Sequence, residues 1–243
     1  ALFEVHWEDK NPWIDQNNQE IKGFLESAIK RKATYNNLQL KFPDAPDSIK
    51  YYLEQPKKIK VFSWDGEKDT LLSPLDSVRY YKRFLQAGFL AMDPNSGHIK
   101  AWVGGIDYKY FQYDHVKQGK RQPGSTFKPI VYTAAIDNGY SPCYEVVDAA
   151  VSYDVPGQIP PVWRPNNSSG KYSGEVMTIR QAMARSVNSI TAFIMSKVGP
   201  SNVVDYARKL GFTSPLNAVP SLCLGTADVS LYELVGAYAT FVN

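Results

Sequence analysis

Ser125 and Lys128 have the residue types and the spacing of a nucleophile and its base. They follow a Pro-Gly pair, and apolar residues at helical spacing then run to Asn138, which predicts a helix with Ser125 in its first turn. Residues three apart lie on one face of a helix, about 5–6 Å apart at Cβ. The Lys128 amine is therefore expected to reach the Ser125 oxygen.

The predicted helix start favours this chemistry. The positive end of a helix dipole disfavours a cation and favours negative charge developing on an attacking oxygen. Burial of Lys128 would lower the pKa of its amine further, and a neutral amine can take the serine proton. By itself, Ser-x-x-Lys is also compatible with an ordinary helix turn that carries a solvated lysine.

A second polar pair, Ser186 and Asn188, lies downstream in the order Ser-Val-Asn. Thr178 and Gln181 predict a capping box, which opens a helix that runs directly into Ser186. Ser-x-x-Lys followed by Ser-x-Asn is much rarer by chance than either alone.

Several elements must position these residues. Two β-type runs at 89–93 and 98–103, joined by Pro-Asn-Ser-Gly, predict a hairpin that places the Ser125 helix against a sheet. Ser73 is expected to cap a helix that runs to Gln86 or Ala87. The patterns also predict helices near 17–33, 47–54, 190–197 and 202–210, a strand near 59–64, and a last helix opened by a second capping box, Ser230 with Glu233.

Composition excludes several classes of function. The chain has 243 residues, 44% of them apolar, which is ample for a globular core, and its formal charge of +3 is too small to indicate nucleic-acid binding. The three histidines and two cysteines lack metal-ligand spacing, so we expect no metal and no cofactor. Cys143 and Cys223 fit unpaired residues better than a disulfide. No stretch has the length to span a membrane or the form of a signal peptide, and the chain does not begin with Met, which suggests an excised piece.

The combined pattern resembles the penicillin-binding proteins, in particular the transpeptidase domain of the bifunctional class A members. The similarity includes the hairpin at 91–105, the Arg-Gln-Pro-Gly-Ser-Thr-Phe-Lys-Pro stretch at 121–129, Trp-Arg-Pro-Asn-Asn at 163–167, and the segments at 184–188 and 222–243. It implies an α+β fold shared with the serine β-lactamases. The part present here is expected to be mostly helical and truncated before the strand that carries the third motif.

The resemblance also implies roles for the four polar residues. Ser125 would attack the penultimate D-Ala carbonyl of a stem peptide, Lys128 would accept its proton, and Ser186 would relay that proton to the leaving D-Ala. Asn188 would bind Lys128 and the substrate backbone. The implied partners are stem peptides ending in D-Ala-D-Ala and β-lactams. The implied location is extracytoplasmic, with the intact protein anchored in a membrane by an upstream segment.

The third motif of this family, Lys-Thr-Gly or Lys-Ser-Gly on a strand, is missing from the sequence. Lys197-Val-Gly and Lys209-Leu-Gly have its outline, but each coincides with a predicted helix end. In this family the strand that carries the third motif supplies one of the two oxyanion-hole amides. Loss of one such donor costs about 10²–10³ in rate, so we expect this chain to be inactive or feeble by itself. The hairpin is expected to be a two-stranded remnant of the family's sheet with an exposed edge, which either pairs with another copy of the chain or leaves the hairpin disordered.

We therefore predict a linker module over residues 1–70 and the N-terminal part of a transpeptidase domain over 71–243. Two other interpretations stay open. One is a D,D-carboxypeptidase or β-lactamase, for which no deacylating glutamate is evident. The other is a non-catalytic sensor or scaffold module with a penicillin-binding fold.

Overall fold

The computed structural model describes residues 11–15, 17–155, 157 and 161–243. These residues form two compact units. The first contains the described residues up to Gln86 together with Asp107–Phe111, and the second contains Ala87–Ile106 and Gln112–Asn243. The division therefore falls after Gln86 rather than at the predicted residue 70, because the helix Pro74–Lys82 packs within the first unit through the buried Val78.

The first unit is a small helical layer with one β-hairpin. Its elements are α1 (Phe24–Lys30), α2 (Ala33–Lys41), α3 (Pro46–Glu54), β1 (Lys57–Ser63), β2 (Gly66–Leu72) and α4 (Pro74–Lys82). The helices enclose a core of Trp13, Leu25, Ile29, Ile49, Leu53 and Val78. Strands β1 and β2 are antiparallel, with Ser63 opposite Gly66 at the turn.

Two predicted helices of this unit were wrong in their bounds. The helix expected near 17–33 is α1 alone, because Gly23 stands in the left-handed region at its start and the chain leaves the helix at Arg31 before α2 begins. Ser73 caps α4 as predicted, its Oγ accepting a hydrogen bond from Asp76 N at 3.1 Å. However, α4 ends at Lys82 rather than at Gln86.

The second unit carries all four candidate site residues. Its elements are β3 (Phe89–Met92), β4 (Ile99–Val103), β5 (Lys120–Arg121), a 3₁₀ helix (Gly124–Phe127), α5 (Lys128–Asp137), β6 (Glu145–Val147), β7 (Tyr153–Asp154), β8 (Val162–Trp163), β9 (Val176–Thr178), α6 (Ile179–Ala184), α7 (Asn188–Val198), α8 (Pro200–Lys209), a second 3₁₀ helix (Pro220–Leu224), β10 (Val229–Ser230) and α9 (Leu231–Ala239). The strands form antiparallel pairs: β3 with β4, β5 with β10, β6 with β9, and β7 with β8.

Helix α5 runs through the core of this unit. Its apolar residues Ile130, Val131, Ala134 and Ala135 are fully buried and share one face of the helix, whereas Ile136 and Asp137 are exposed. An apolar face of this width is typical of a helix that packs on a core. Helices α6, α7 and α8 surround it. Lys128, the first residue of α5, is consequently carried into the core.

The hairpin β3–β4 has the two strands predicted from the sequence. Phe89 lies opposite Val103, and α9 packs against β3, where the ring of Tyr232 lies 5.8 Å from that of Trp102. Phe89, Ile99 and Val103 are exposed apolar side chains of this hairpin. Pairing of the hairpin with a second copy stays a prediction.

Glu233 fastens α9 to the loop before the second 3₁₀ helix. It forms the predicted capping box with Ser230, and its buried carboxylate also accepts hydrogen bonds from the backbone amides and the hydroxyls of Thr213 and Ser214. Burial raises the pKa of Glu233, but hydrogen bonds from Ser230, Thr213 and Ser214 outweigh it and leave the pKa below its usual value. The carboxylate is thus a structural anion.

We predict that Glu233→Gln lowers the free energy of unfolding by about 1–3 kcal/mol, because the new NH₂ group faces donors and leaves buried groups unsatisfied. Urea unfolding at pH 7 measures the loss. Glu175→Gln is the matched control, since Glu175 is half exposed and pairs only with Arg185 at the surface, where such a pair contributes about 0–1 kcal/mol. Equal losses in the two variants would contradict the anchoring role.

Candidate active site

Ser125 lies in the 3₁₀ helix Gly124–Phe127, and its side chain is exposed. The predicted helix start therefore exists, with one tight turn before α5 begins. The backbone N–H of Lys128 donates to Ser125 O, and the buried ring of Phe127 meets that of Phe212 edge-on at 5.8 Å. The turn is anchored in the core on the side opposite the exposed hydroxyl.

Two long-range hydrogen bonds hold this turn. Gly124 N donates to Gly225 O at 3.2 Å, and the Tyr238 hydroxyl donates to Thr126 O at 2.7 Å. Strand β5 comes just before Gly124 in the chain and β10 just after Gly225, and these two strands pair with each other. Segments far apart in the sequence thus fix the position of Ser125.

The Lys128 amine is enclosed, because the residue is only 2% exposed. Its Nζ donates to Ser186 O at 2.6 Å, to Ser186 Oγ at 3.0 Å and to Asn188 Oδ1 at 2.6 Å. Burial lowers the pKa of Lys128 from its usual 10.5 to about 8. At neutral pH the amine is therefore mostly charged, and roughly a tenth of it is available as a base.

Ser186 reaches Lys128 because the chain turns sharply after α6. The backbone of Ser186 is left-handed, with φ 57°, and its N–H donates to Met183 O while Val187 N donates to Ala182 O. This is the Schellman ending of a helix, in which the left-handed position is usually glycine. A serine here costs backbone strain but supplies two oxygens to the amine.

Asn188 begins α7 and uses both ends of its amide. Its Oδ1 accepts from Lys128, and its Nδ2 donates to Asn166 O at 2.8 Å. Its backbone N–H donates to Asn167 Oδ1 at 3.0 Å. In the sequence, Asn166 and Asn167 stand out only as part of the family resemblance at 163–167, and no role was predicted for them.

The structure brings three of the four predicted site residues into direct contact, namely Lys128, Ser186 and Asn188. Ser125 lies one turn before Lys128, but within the described residues no hydrogen bond joins its hydroxyl to the Lys128 amine. Catalytic hydrogen bonds are often longer without substrate than with it. The acceptors on Ser186 and Asn188 hold all three protons of the ammonium instead.

The two third-motif lookalikes lie at helix ends, as the sequence predicts: Lys197 is in the last turn of α7 and Lys209 in the last turn of α8. Cys143 and Cys223 are both free thiols. Within the described ranges no cluster of three His, Cys, Asp or Glu side chains is arranged for a metal ion, and no helix is long and apolar enough to cross a bilayer.

Comparison with known proteins agrees with this geometry. The family model for the penicillin-binding protein transpeptidase domain matches residues 87–243, which is more than half of the chain. The chain belongs to this transpeptidase family. The model for the penicillin-binding protein middle domain matches residues 8–85, so the two matched ranges meet where the structure divides.

Individual relatives of this transpeptidase domain are penicillin-binding proteins. Penicillin-binding protein 1A of Neisseria meningitidis is 38% identical over 160 residues, which cover 65% of this chain and 20% of the relative. Penicillin-binding protein 2D of Bacillus subtilis is 37% identical over 161 residues, 65% of this chain and 23% of the relative. The matched part of the chain therefore spans about a fifth of their length.

A solved structure shows the same transpeptidase fold. The crystal structure of penicillin-binding protein 1A from Haemophilus influenzae superposes with a TM-score of 0.61 at 30% identity, over 65% of this chain and 23% of that one. The predicted family and the penicillin-binding transpeptidase fold are confirmed.

We predict that Gly225→Ala displaces the turn that carries Ser125, because an added Cβ would lie 2.2 Å from Gly124 O. Gly97→Ala is the matched control, since Gly97 has the same φ of 69° but open space around it. The control should lose only the left-handed preference, about 1–2 kcal/mol. Gly225→Ala should lose about 1–3 kcal/mol more from overpacking. Urea unfolding measures both, and equal losses would rule out a tight contact.

Proposed function

We propose that this chain carries the acylation site of a serine D,D-transpeptidase that cross-links peptidoglycan, with Ser125 as the nucleophile. The observation that supports it most is the enclosed Lys128 amine, which is bound to Ser186 and Asn188 one turn from the exposed Ser125 hydroxyl. Its pKa of about 8 suits a base at physiological pH. The substrates are stem peptides ending in D-Ala-D-Ala, and β-lactams acylate the same serine.

The mechanism follows from the hydrogen-bond donors and the lone pair of the neutral amine. Neutral Lys128 has two N–H donors and one lone pair, so it can keep its bonds to Ser186 O and Asn188 Oδ1 while its lone pair accepts a hydroxyl proton. Ser125 Oγ attacks the penultimate D-Ala carbonyl, and its proton passes to Lys128. The leaving D-Ala takes a proton through Ser186 Oγ, which lies 3.0 Å from Lys128 Nζ. An amine of a second stem peptide then resolves the acyl-enzyme.

A carboxypeptidase or β-lactamase function has less support. Such an enzyme needs a group that activates water against the acyl-enzyme. Glu145 and Glu175, two glutamates of this unit, are exposed, and Glu175 is paired with Arg185 at 2.8 Å. The contacts of Lys128, Ser186 and Asn188 likewise favour a catalytic site over a sensor or scaffold. The intact protein would work outside the cytoplasm, anchored in the membrane.

Incubation of the chain with penicillin G should give one covalent adduct on Ser125. Because the sequence lacks the third motif, we expect the adduct to form about 10²–10³ times more slowly than in a domain that has that oxyanion donor. Intact-mass measurement over hours, followed by peptide mapping, identifies the residue. Ser125→Ala should abolish the adduct, whereas Ser201→Ala, at an exposed serine on α8, should leave it unchanged. Labelling of the wild-type chain at a residue other than Ser125, or undiminished labelling of Ser125→Ala, would contradict the proposal.

The acylation rate should depend on pH through Lys128. The neutral amine is the base and its fraction rises with pH, so the rate should increase through a midpoint near pH 8 and fall about tenfold per unit below pH 7. Adduct formation measured between pH 6 and 9 checks this. Lys128→Arg should be inactive across that range, because a guanidinium keeps its proton. A wild-type rate independent of pH would show that Lys128 is not the base.

A further inference from the structure

Asp148 is a buried carboxylate beside the site that the proposed mechanism does not use. It follows β6, is 4% exposed, and accepts four hydrogen bonds. Its Oδ1 accepts from the Ser189 hydroxyl and, at 2.8 Å, from Asn167 Nδ2, while its Oδ2 accepts from Ser173 N and Ser173 Oγ, each at 2.8 Å. Burial raises the pKa of Asp148, but the bonds from Ser189, Ser173 and Asn167 outweigh it and lower the pKa to about 2.

Asn167 connects this carboxylate to the start of α7. Val187, the N-cap residue of α7, provides no side-chain acceptor for the first amides of the helix. Asn167 Oδ1 takes that role from another segment, accepting from Asn188 N at 3.0 Å and from Ser189 N at 3.1 Å. A side-chain amide can turn over, and the bonds from its Nδ2 to Asp148 Oδ1, at 2.8 Å, and to Lys171 O, at 3.2 Å, select the orientation in which the oxygen faces the helix.

The contacts form one continuous path from Asp148 through Asn167 and Asn188 to Lys128. The last step is the 2.6 Å bond from Lys128 Nζ to Asn188 Oδ1. We propose that Asp148 is a positioning residue, which holds Asn188 against the Lys128 amine by fixing the side-chain amide of Asn167. This inference deepens the proposed acylation function of the same site and rests on it.

The backbone of Asp148 has a structural role that is separate from the role proposed for its carboxylate. The backbone of Asp148 also joins the loop after Ser173, because its N–H donates to Glu175 O and its carbonyl accepts from Gly174 N. Those bonds do not involve the carboxylate, so Asp148→Asn leaves them in place. The substitution changes one oxygen into a donor that faces donors, so Asn167 Nδ2 loses its shorter bond and keeps the longer one to Lys171 O. The orientation of Asn167 is then held less firmly.

The first test compares Asp148→Asn with wild type by the initial rate of Ser125 acylation by penicillin G. We expect a fall of about 10–100-fold, the effect of a displacement of about 1 Å at a reacting group. Asp205→Asn is the matched control, because Asp205 is exposed on α8, and it should acylate at the wild-type rate. A wild-type rate in a folded Asp148→Asn chain would overturn the proposal.

The second test separates positioning from general damage by a double-mutant cycle. If Asp148 acts through Asn188, then Asp148→Asn should lower the rate little further in a chain that already carries Asn188→Ala. Independent structural damage would instead multiply the two losses. Multiplied losses count against the proposal, and a combined loss close to that of Asn188→Ala supports it.

The third test does not depend on acylation. Amide hydrogen exchange measured by NMR should show faster exchange at Asn188 and Ser189 in Asp148→Asn, with no change at the α5 amides of Val131 and Ala135. If the wild-type adduct lies on a residue other than Ser125, the proposed function fails while this measurement still decides the positioning role. Unchanged exchange at Asn188 and Ser189 refutes that role.

Asn167→Ala provides a second route in case Asp148→Asn does not fold. It removes the connecting amide but leaves the Asp148 carboxylate three donors, from Ser189 and Ser173. We expect the same loss of acylation rate and the same faster exchange at Asn188 and Ser189. Wild-type acylation and exchange in this variant would contradict the path.

Discussion

The rest of the second unit depends on one constraint, the burial of the Lys128 amine. An ion taken out of water costs several kcal/mol unless hydrogen bonds replace its hydration. The amine has three such acceptors on two residues, Ser186 and Asn188, and both lie outside its own helix. The end of α6 and the start of α7 must therefore meet the start of α5 within hydrogen-bonding distance.

The fold meets this requirement with local strain and with long-range caps. Ser186 takes a left-handed backbone that glycine would adopt more easily, and in return both its carbonyl and its hydroxyl reach the amine. Asn188 is held from the far side by Asn166 and Asn167. Cys223 lies in the same core, and burial raises the pKa of its thiol to about 12. It stays neutral, so it provides no full negative charge that would restore the lysine pKa.

Features that depend on neighbours in sequence were predictable. The capping boxes at Thr178 and Ser230 were correct because each requires only residues three positions apart. The helix ends near Lys197 and Lys209 were also expected, since a glycine with positive φ follows each within two residues. By contrast, the helix predicted near 17–33 was wrong in length. Its stripe of apolar residues begins at Ile21, before Gly23, whereas α1 begins only after Gly23.

Short strands and polar contacts between distant segments were not predictable. Strands β5 and β10 have two residues each and exist only because the tertiary fold brings them together. Asp148 follows a three-residue strand and shows no pattern around it, so its burial and its four donors emerge only from the packing of three separate segments. Gly225 looks like any turn glycine until the backbone of Gly124 is placed against it.

The sequence by itself determined the candidate reactive groups and their order: Ser125 and Lys128 at the start of one helix, and Ser186 and Asn188 at the junction of two others. These follow from residue types and spacings of a few positions, and the family follows from the resemblance of the longer segments around them. Only the tertiary structure decided that Lys128 is enclosed, that its protons go to Ser186 and Asn188 rather than to Ser125, and that Asn167 and Asp148 support Asn188. Desolvation and hydrogen-bond geometry are properties of groups far apart in the chain, so no local pattern encodes them.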